Sequence, residues 1–582
     1  MYKQVLDPFH GSLALTAIFA ALPLLTLFVL LGVLRLAAWK ASVVALVVAV
    51  VVAVAIYPMP VGQALLSGTE GAAFGFFPIM WIVINAIWIY NLTVRTGHFD
   101  VLRRSFAAVS PDPRIQAIII AFCFGSLLEA LAGFGAPVAI CAVMLVALGM
   151  SPILAASLAL IADTAPVAFG AIGVPITTLG TVSGLPVDQL GAMVGRQTPV
   201  LALFVPFVLV GVVGGRRGIA KVWPAALTAG LVFGIAQFVA SNFISIPLTD
   251  IIASLASAGG VVLLLRVWHP ADVEATGGAG VRSASLSGSV AGGAVGHGLG
   301  EESDDAGLRG AGEPTLATTT MNDTSGRVDD AHIHDPRGEV VKAYAPYGII
   351  IAIFGITQIP ALKAALDATT HKFAWPGLHL FSSAGKPQSS VMFTFNWLAA
   401  AGTMLLIAGI LTAIVLKVSP GQALRTYWET LVELKFAILT VMVVLALAYV
   451  MNASGQTSTL GKWMAGAGGL FALLSPILGW LGVAVTGSDT SSNSLFGALQ
   501  VAAAKGAGLN PLLMAAGNSS GGVIGKMISP QNLAIGASAV GLAGREGDIF
   551  RKVLPWTLLF LVGACVLVYL QSTPVLSWMV LH

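Results

Sequence analysis

Apolar runs long enough to cross a lipid bilayer recur along nearly the whole of this sequence. That recurrence leaves few folds open. Within hydrocarbon every backbone polar group must be satisfied inside the structure, so only helices and closed barrels span it. The alternating ten-residue pattern of a transmembrane barrel is absent. A content of 57% hydrophobic and only 9% charged residues leaves too little charge to cover a soluble surface. The chain therefore reads as an all-α polytopic membrane protein. The first run, Ser12 to Leu34, is too long for the apolar region of a signal peptide and lacks a small-residue cleavage site, so it reads as the first span. The apolar segments predict about 12 to 14 transmembrane helices, several of them broken by Gly or Pro.

One segment departs from this pattern. Residues 270–342 are rich in Gly, Ala, Ser, Thr and Asp and poor in large apolar side chains. Such a composition cannot bury a core and predicts a disordered linker. It divides the chain into an N-terminal membrane half, 1–269, and a C-terminal half, 343–582. Between Pro270 and Val340 stand 12 acidic and 4 basic residues; the net charge of the whole chain is +3, so the membrane body is basic. A basic body suits anion transport, and it also follows from ordinary positive-inside topology. The clusters Arg95 to Arg114, Arg216 to Lys221, Lys417 to Lys435 and Arg545 to Lys552 place those loops, and the linker, in the cytoplasm. Both termini then fall outside. The histidines of His332-Ile-His334 sit in the linker and read as incidental. Cys123, Cys141 and Cys565 show no paired spacing and read as small core residues.

Two stretches resemble each other. GMSPILAAS from Gly149 and GLNPLLMAA from Gly508 are both Gly-x-x-Pro openings of a small-residue helix. ADTAPVAFGAIGVPI, from Ala162, aligns with GNSSGGVIGKMISPQ, from Gly517. That alignment sets Asp163 against Asn518, Gly170 against Gly525 and Pro175 against Pro530. The breaks AGFGAP (from Ala132) and TGSDTS (from Thr486) precede the two copies. The core repeats are expected near 115–182 and 463–536. By the loop charges they enter the membrane from opposite sides, which predicts two inverted-topology repeats. Inverted repeats with broken helices typify secondary transporters, whose substrate binds at the midplane between the copies.

Charge within these breaks marks the candidate site, since an ionisable group at membrane depth is costly and functional by default. Glu129 lies one helical turn before the Gly133-Phe-Gly135 break and can face it. A buried carboxyl that can be held neutral suits a proton carrier; the alternative is a structural acid capping a helix end. Asp163 opens the second break, to carry the proton or to cap the next helix. Asp489, amid hydroxyls, could bind a cation, orient substrate or cap. Lys526, among glycines, could neutralise a substrate carboxylate or snorkel to the interface. Ser488, Asn518 and Ser519 offer hydroxyls and an amide for a small hydroxylated anion, or for sodium. Backbone at Gly133 and Gly135, and half-helix N-termini, suit a carboxylate. Glu70 follows Ser67-Gly-Thr and reads as a helix N-terminal residue. Trp81, Trp88 and Tyr90 read as an interfacial belt. No catalytic group, metal or cofactor is implied, and no nucleic-acid partner.

The motifs FGSLLEALAGFGAPVAI, NLTVRTGHFDVLRRS, WLGVAVTGSDTSSNSLFGALQ and GNSSGGVIGKMISPQNLAIG resemble the lactate permease family. The resemblance covers nearly the whole membrane body. It implies proton-coupled import of L-lactate, D-lactate and glycolate across the bacterial inner membrane, by a permease and not an enzyme. On this reading Glu129 and Asp163 serve proton coupling. Gly133, Gly135, Ser488, Asp489, Asn518, Ser519 and Lys526 serve the substrate. A sodium-coupled or other organic-anion transporter of the same architecture is the alternative. The linker departs from the family pattern and has the look of an insertion. Oligomeric state is not implied.

Overall fold

The computed structural model describes residues 2–9, 11–34, 36–131, 133, 135–270, 335–357, 359–381, 391–542 and 545–581. Most of the expected linker, including His332 and His334, lies outside these residues. Its end does not: helix begins at Arg337, six residues before the expected boundary.

The described residues are mostly helical. The N-terminal half opens with α1 (Leu13–Phe28), α2 (Ala38–Ala55), α3 (Val61–Phe74), α4 (Trp81–Arg95) and α5 (His98–Ala107). A broken region follows: α6 (Pro113–Gln116) runs on to α7 (Gly125–Leu131), then come α8 (Ala136–Ala147), α9 (Pro152–Ala162) and α10 (Gly170–Ser183). The half closes with α11 (Val187–Val194), α12 (Thr198–Val239) and α13 (Thr249–Val267). The C-terminal half carries α14 (Arg337–Ile356), α15 (Pro360–Asp367), α16 (Ala401–Val415), α17 (Pro420–Ser454) and α18 (Gln456–Met464). Its own broken region is α19 (Phe471–Thr486), α20 (Asp489–Ala507), α21 (Pro511–Gly525) and α22 (Pro530–Ala539), before α23 (Glu546–Gln571).

Local chemistry fixes the helix starts. Ser12 and Asn510 accept hydrogen bonds from backbone N–H groups of the first turns they open. Pro152, Pro511 and Pro530 occupy first-turn positions, where a missing N–H costs nothing. α12 is two helices in one. Gly215 has φ +61, and beyond it the chain doubles back: Gly230 packs against the Leu203 backbone and Gly234 against that of Pro199. A side chain at Gly230 would collide with that carbonyl, so the close approach requires glycine.

Ten helical stretches among the described residues are long and apolar enough to span a membrane, or eleven if the bent pair Pro152–Ala162 and Val167–Ser183 counts as one span. These stretches fit the expected polytopic helical class; they take the doubled-back α12 within a single stretch and leave out the short α8 and α16 and the polar-started α20. Trp88 is not in a belt; it is buried, donates to the Ala423 carbonyl and packs edge-on to Tyr427.

Two short strand pairs pack against the helices. β1 (Tyr2–Lys3) runs parallel to β3 (Leu380–Phe381), with Tyr2 opposite Leu380. β2 (His371–Ala374) is antiparallel to β4 (Met392–Phe395). The first pairing joins the N-terminal residues to the segment that follows α15 and β2. Asp335 is held by Arg104 of α5 through two bonds of 2.9 and 2.7 Å. Those bonds keep its carboxyl below the usual range. The end of the linker is thereby tied to the basic Arg95–Arg104 region. Arg114, expected in a loop cluster, is buried and pairs with Asp112 at 2.6 Å.

The two broken regions share one element order. Each has a helix, a break, a second helix, a left-handed glycine (Gly149, Gly508), a proline-opened helix and a 3-10 turn (Val167–Phe169, Lys526–Ile528) before the last helix. Gly149, Pro152 and Val167 each stand 359 positions before Gly508, Pro511 and Lys526. Packing is reciprocal: α10 lies against α20 and α21, and α22 lies against α8 and α9.

Candidate transport site

The last helix of each broken region crosses to the other, so the breaks meet in the interior. Glu129 projects from the end of α7, and Lys526 from the end of α21. Lys526 Nζ donates to Glu129 Oε1 at 2.6 Å and lies 2.9 Å from Asp163 Oδ2. All three side chains are at most 5% exposed. One ammonium therefore serves two carboxylates from the other region. Lys526 does not snorkel, because its charge is taken up inside.

Glycine is required around this triad. A Cβ on Gly170 would stand 2.8 Å from Glu129 Oε1, so the α10 backbone closes directly over the carboxylate. Gly133 lies against Glu129 and Ala171. Gly135, at φ +84, faces Asn532 and Ile535 of α22. The start of α10 is itself strained: Ala171 and Ile172 hold φ of +43 and +59, a region L-residues enter at a cost of about 1–2 kcal/mol each.

A second polar network adjoins the triad. Ser519 donates to Asp489 Oδ2 at 2.6 Å, and Asn493 Nδ2 reaches the same oxygen at 3.1 Å. Asn493 also donates to the Pro175 carbonyl of α10 at 3.2 Å, linking the two regions. Asn518 donates to Asn493 Oδ1, and Gln500 donates to Asn518 Oδ1. Asp489 Oδ1 lies against Gly522 and has no hydrogen-bond partner among the described residues.

Of the residues singled out from sequence, Glu129, Asp163 and Lys526 form the triad, Gly133 lies against Glu129, and Gly135 faces α22 instead. Asp489, Asn518 and Ser519 make the adjoining network. Ser488 belongs to neither; its hydroxyl caps α20 by accepting from the Ser491 N–H. The repeat alignment is also corrected. In the common element order Asp163 matches Gly522, not Asn518, and Lys526 matches Val167.

Other participants escaped the sequence reading. Asn532 lies beside Gly135, and its amide reaches the carbonyls of Gly487 and Lys526 at 3.4 and 3.5 Å, so it touches three breaks. Buried Asp250 accepts from Gln237 at 2.9 Å, and Gln237 also reaches the Ala165 carbonyl inside the first region's second break. Asp250 follows a proline near a helix start, where an acid has an ordinary capping use. Asparagines in small-residue helices carry no charge signal at all.

The triad is closed off from solvent. An open cavity of about 240 Å³ lies further along α10, lined by Thr177, Asp188, Ser245, Phe354, Lys363 and Met404 among others. α10 thus runs from a cavity lined by Asp188, Lys363 and Asp367 to the buried triad.

A polytopic helical body, paired broken regions and a charged, occluded centre define a multi-pass membrane transporter. The chain belongs to the L-lactate permease family, whose model matches residues 16–298 and 310–575. It is 38% identical to the L-lactate permease of Bacillus subtilis and 39% identical to that of Escherichia coli K12, each comparison covering 100% of both chains. It is 38% identical to the glycolate permease GlcA of Escherichia coli K12, over 97% of this chain and 96% of the relative.

Proposed function

We propose that this chain imports small 2-hydroxymonocarboxylates, L-lactate, D-lactate and glycolate, by proton symport across the bacterial inner membrane. Family membership and the names of the relatives support the substrate class. The observation that carries the coupling is the shared lysine: two buried carboxylates against one ammonium leave an excess negative charge that a proton neutralises.

The exchange balances. With one carboxylate of the pair protonated, the triad is neutral. An entering lactate presents its carboxylate to Lys526 and displaces Glu129, which takes up a proton from the entry side. The loaded site holds Lys526, the lactate anion and two carboxylic acids, and is again neutral. On the far side lactate leaves, Glu129 returns its proton to water and regains Lys526. One proton travels with each anion, and no unpaired charge is buried at any stage. Asn493, Asn518 and Ser519 supply the donors and acceptors for the 2-hydroxyl. Access alternates as one broken region moves against the other, in inverted orientation, with both termini outside.

Glu129→Gln separates coupling from binding. The expected variant exchanges labelled for unlabelled lactate but no longer accumulates it under a pH gradient. Accumulation at the wild-type level would remove Glu129 from the mechanism. Sodium coupling would instead centre on Asp489 Oδ1 and its hydroxyl and amide neighbours, and would show as uptake that requires sodium at fixed pH.

A further inference from the structure

Glu70 takes no part in the site described. It stands in the third turn of α3 (Val61–Phe74), not at a helix N-terminus as its sequence context suggests. The side chain is 1% exposed, and Oε1 has no hydrogen-bond partner among the described residues. It lines a small cavity of about 30 Å³, room for one or two waters. The other walls include Ser67, Thr181, Val182, Tyr449, Asn452 and Leu380. Four elements therefore meet there: α3, α17, β3 and the C-terminal end of α10, whose first residue touches Glu129.

Among the described residues, the surroundings offer Glu70 no countercharge. α3 carries no other titratable group, and α10 carries none. From α17 the facing titratable side chain is Tyr449. α2 has only Lys40 as a charged residue, over the ring of Trp39 at 5.5 Å. Beside Leu380, His379 and Lys3 are exposed. A carboxylate without a cation is costly in such a cavity, whereas the protonated acid fits with one water or a hydroxyl as partner.

We propose that Glu70 is a second proton-binding site, separate from the substrate triad, whose occupancy follows the position of α10. With Thr181 and Val182 closing the cavity, Glu70 holds a proton. When that end of α10 withdraws and water enters, the proton leaves. Glu70 then sets how readily α10 moves, not how tightly substrate binds. This rests on the alternating-access reading but not on lactate being the substrate.

Two measurements on the full-length protein test it. Infrared titration in detergent, without substrate, reads the carbonyl stretch of buried protonated acids. Glu70→Gln is expected to lose one band that Glu129→Gln retains. In proteoliposomes, lactate counterflow in Glu70→Gln is expected to lose the pH dependence of its rate while half-saturating lactate is unchanged. Glu70→Asp is expected to keep that dependence with a displaced midpoint. Unchanged bands in Glu70→Gln, or a counterflow pH profile superimposable on wild type in both variants, would overturn the proposal. If wild type carries no lactate, the functional reading fails while the infrared result still decides this one.

Discussion

At the scale of single residues, Lys526 carries the most electrostatic weight. Removing it leaves Glu129 and Asp163 buried without a countercharge, so Lys526→Met is expected to cost about 3–5 kcal/mol of stability and to abolish uptake. Adding Glu129→Gln removes one orphaned charge. The double variant is therefore expected to be more thermally stable than Lys526→Met alone, a sign that independent sites would not produce. These residues were legible in the sequence because charge in an apolar break has few structural uses. Asn532, Asn493 and the Asp250–Gln237 pair were not. Their significance lies in contacts between segments far apart in the chain, such as Asn493 with the Pro175 carbonyl, 318 positions away.

At the scale of elements, the breaks are built by specific backbone conformations. Ala171 holds φ +43. Glycine there relieves the left-handed strain, so Ala171→Gly is expected to stay within about 0.5 kcal/mol of wild type. Ala159→Gly in the regular α9 is expected to lose about 1 kcal/mol. Thermal unfolding of the two variants checks the difference, and equal losses would mean the α10 start is unstrained. Elements were also where the sequence misled. Aligning Asp163 with Asn518 slips the repeat by four residues, about one helical turn. Small-residue helices look alike turn after turn, so a slip of one turn costs little in sequence similarity. Capping prolines and left-handed glycines, which cannot slip, restore the register.

At the scale of the whole molecule, the crossing of α10 and α22 into the opposite region is what assembles the site. If transport moves the regions against each other, α10 must shift on α20. A Cβ on Gly497 would lie 2.7 Å from Val182 Cγ2, which brings these positions within reach of a disulfide. Val182→Cys with Gly497→Cys is expected to stop counterflow when oxidised and to recover on reduction. Undiminished counterflow in the oxidised protein would mean the two regions travel as one body. Helical class, membrane character and two broken regions were all legible from hydropathy and breaks. Their interleaving was not, because nothing local records which copy a helix packs against.

The central claim is that a proton, and not sodium, accompanies a 2-hydroxymonocarboxylate through this chain. Radiolabelled lactate uptake into proteoliposomes, under an inward proton gradient and with sodium present or absent, tests it most directly. The account predicts accumulation driven by protons alone and competed by glycolate. Accumulation that requires sodium, or none under either gradient, would contradict it.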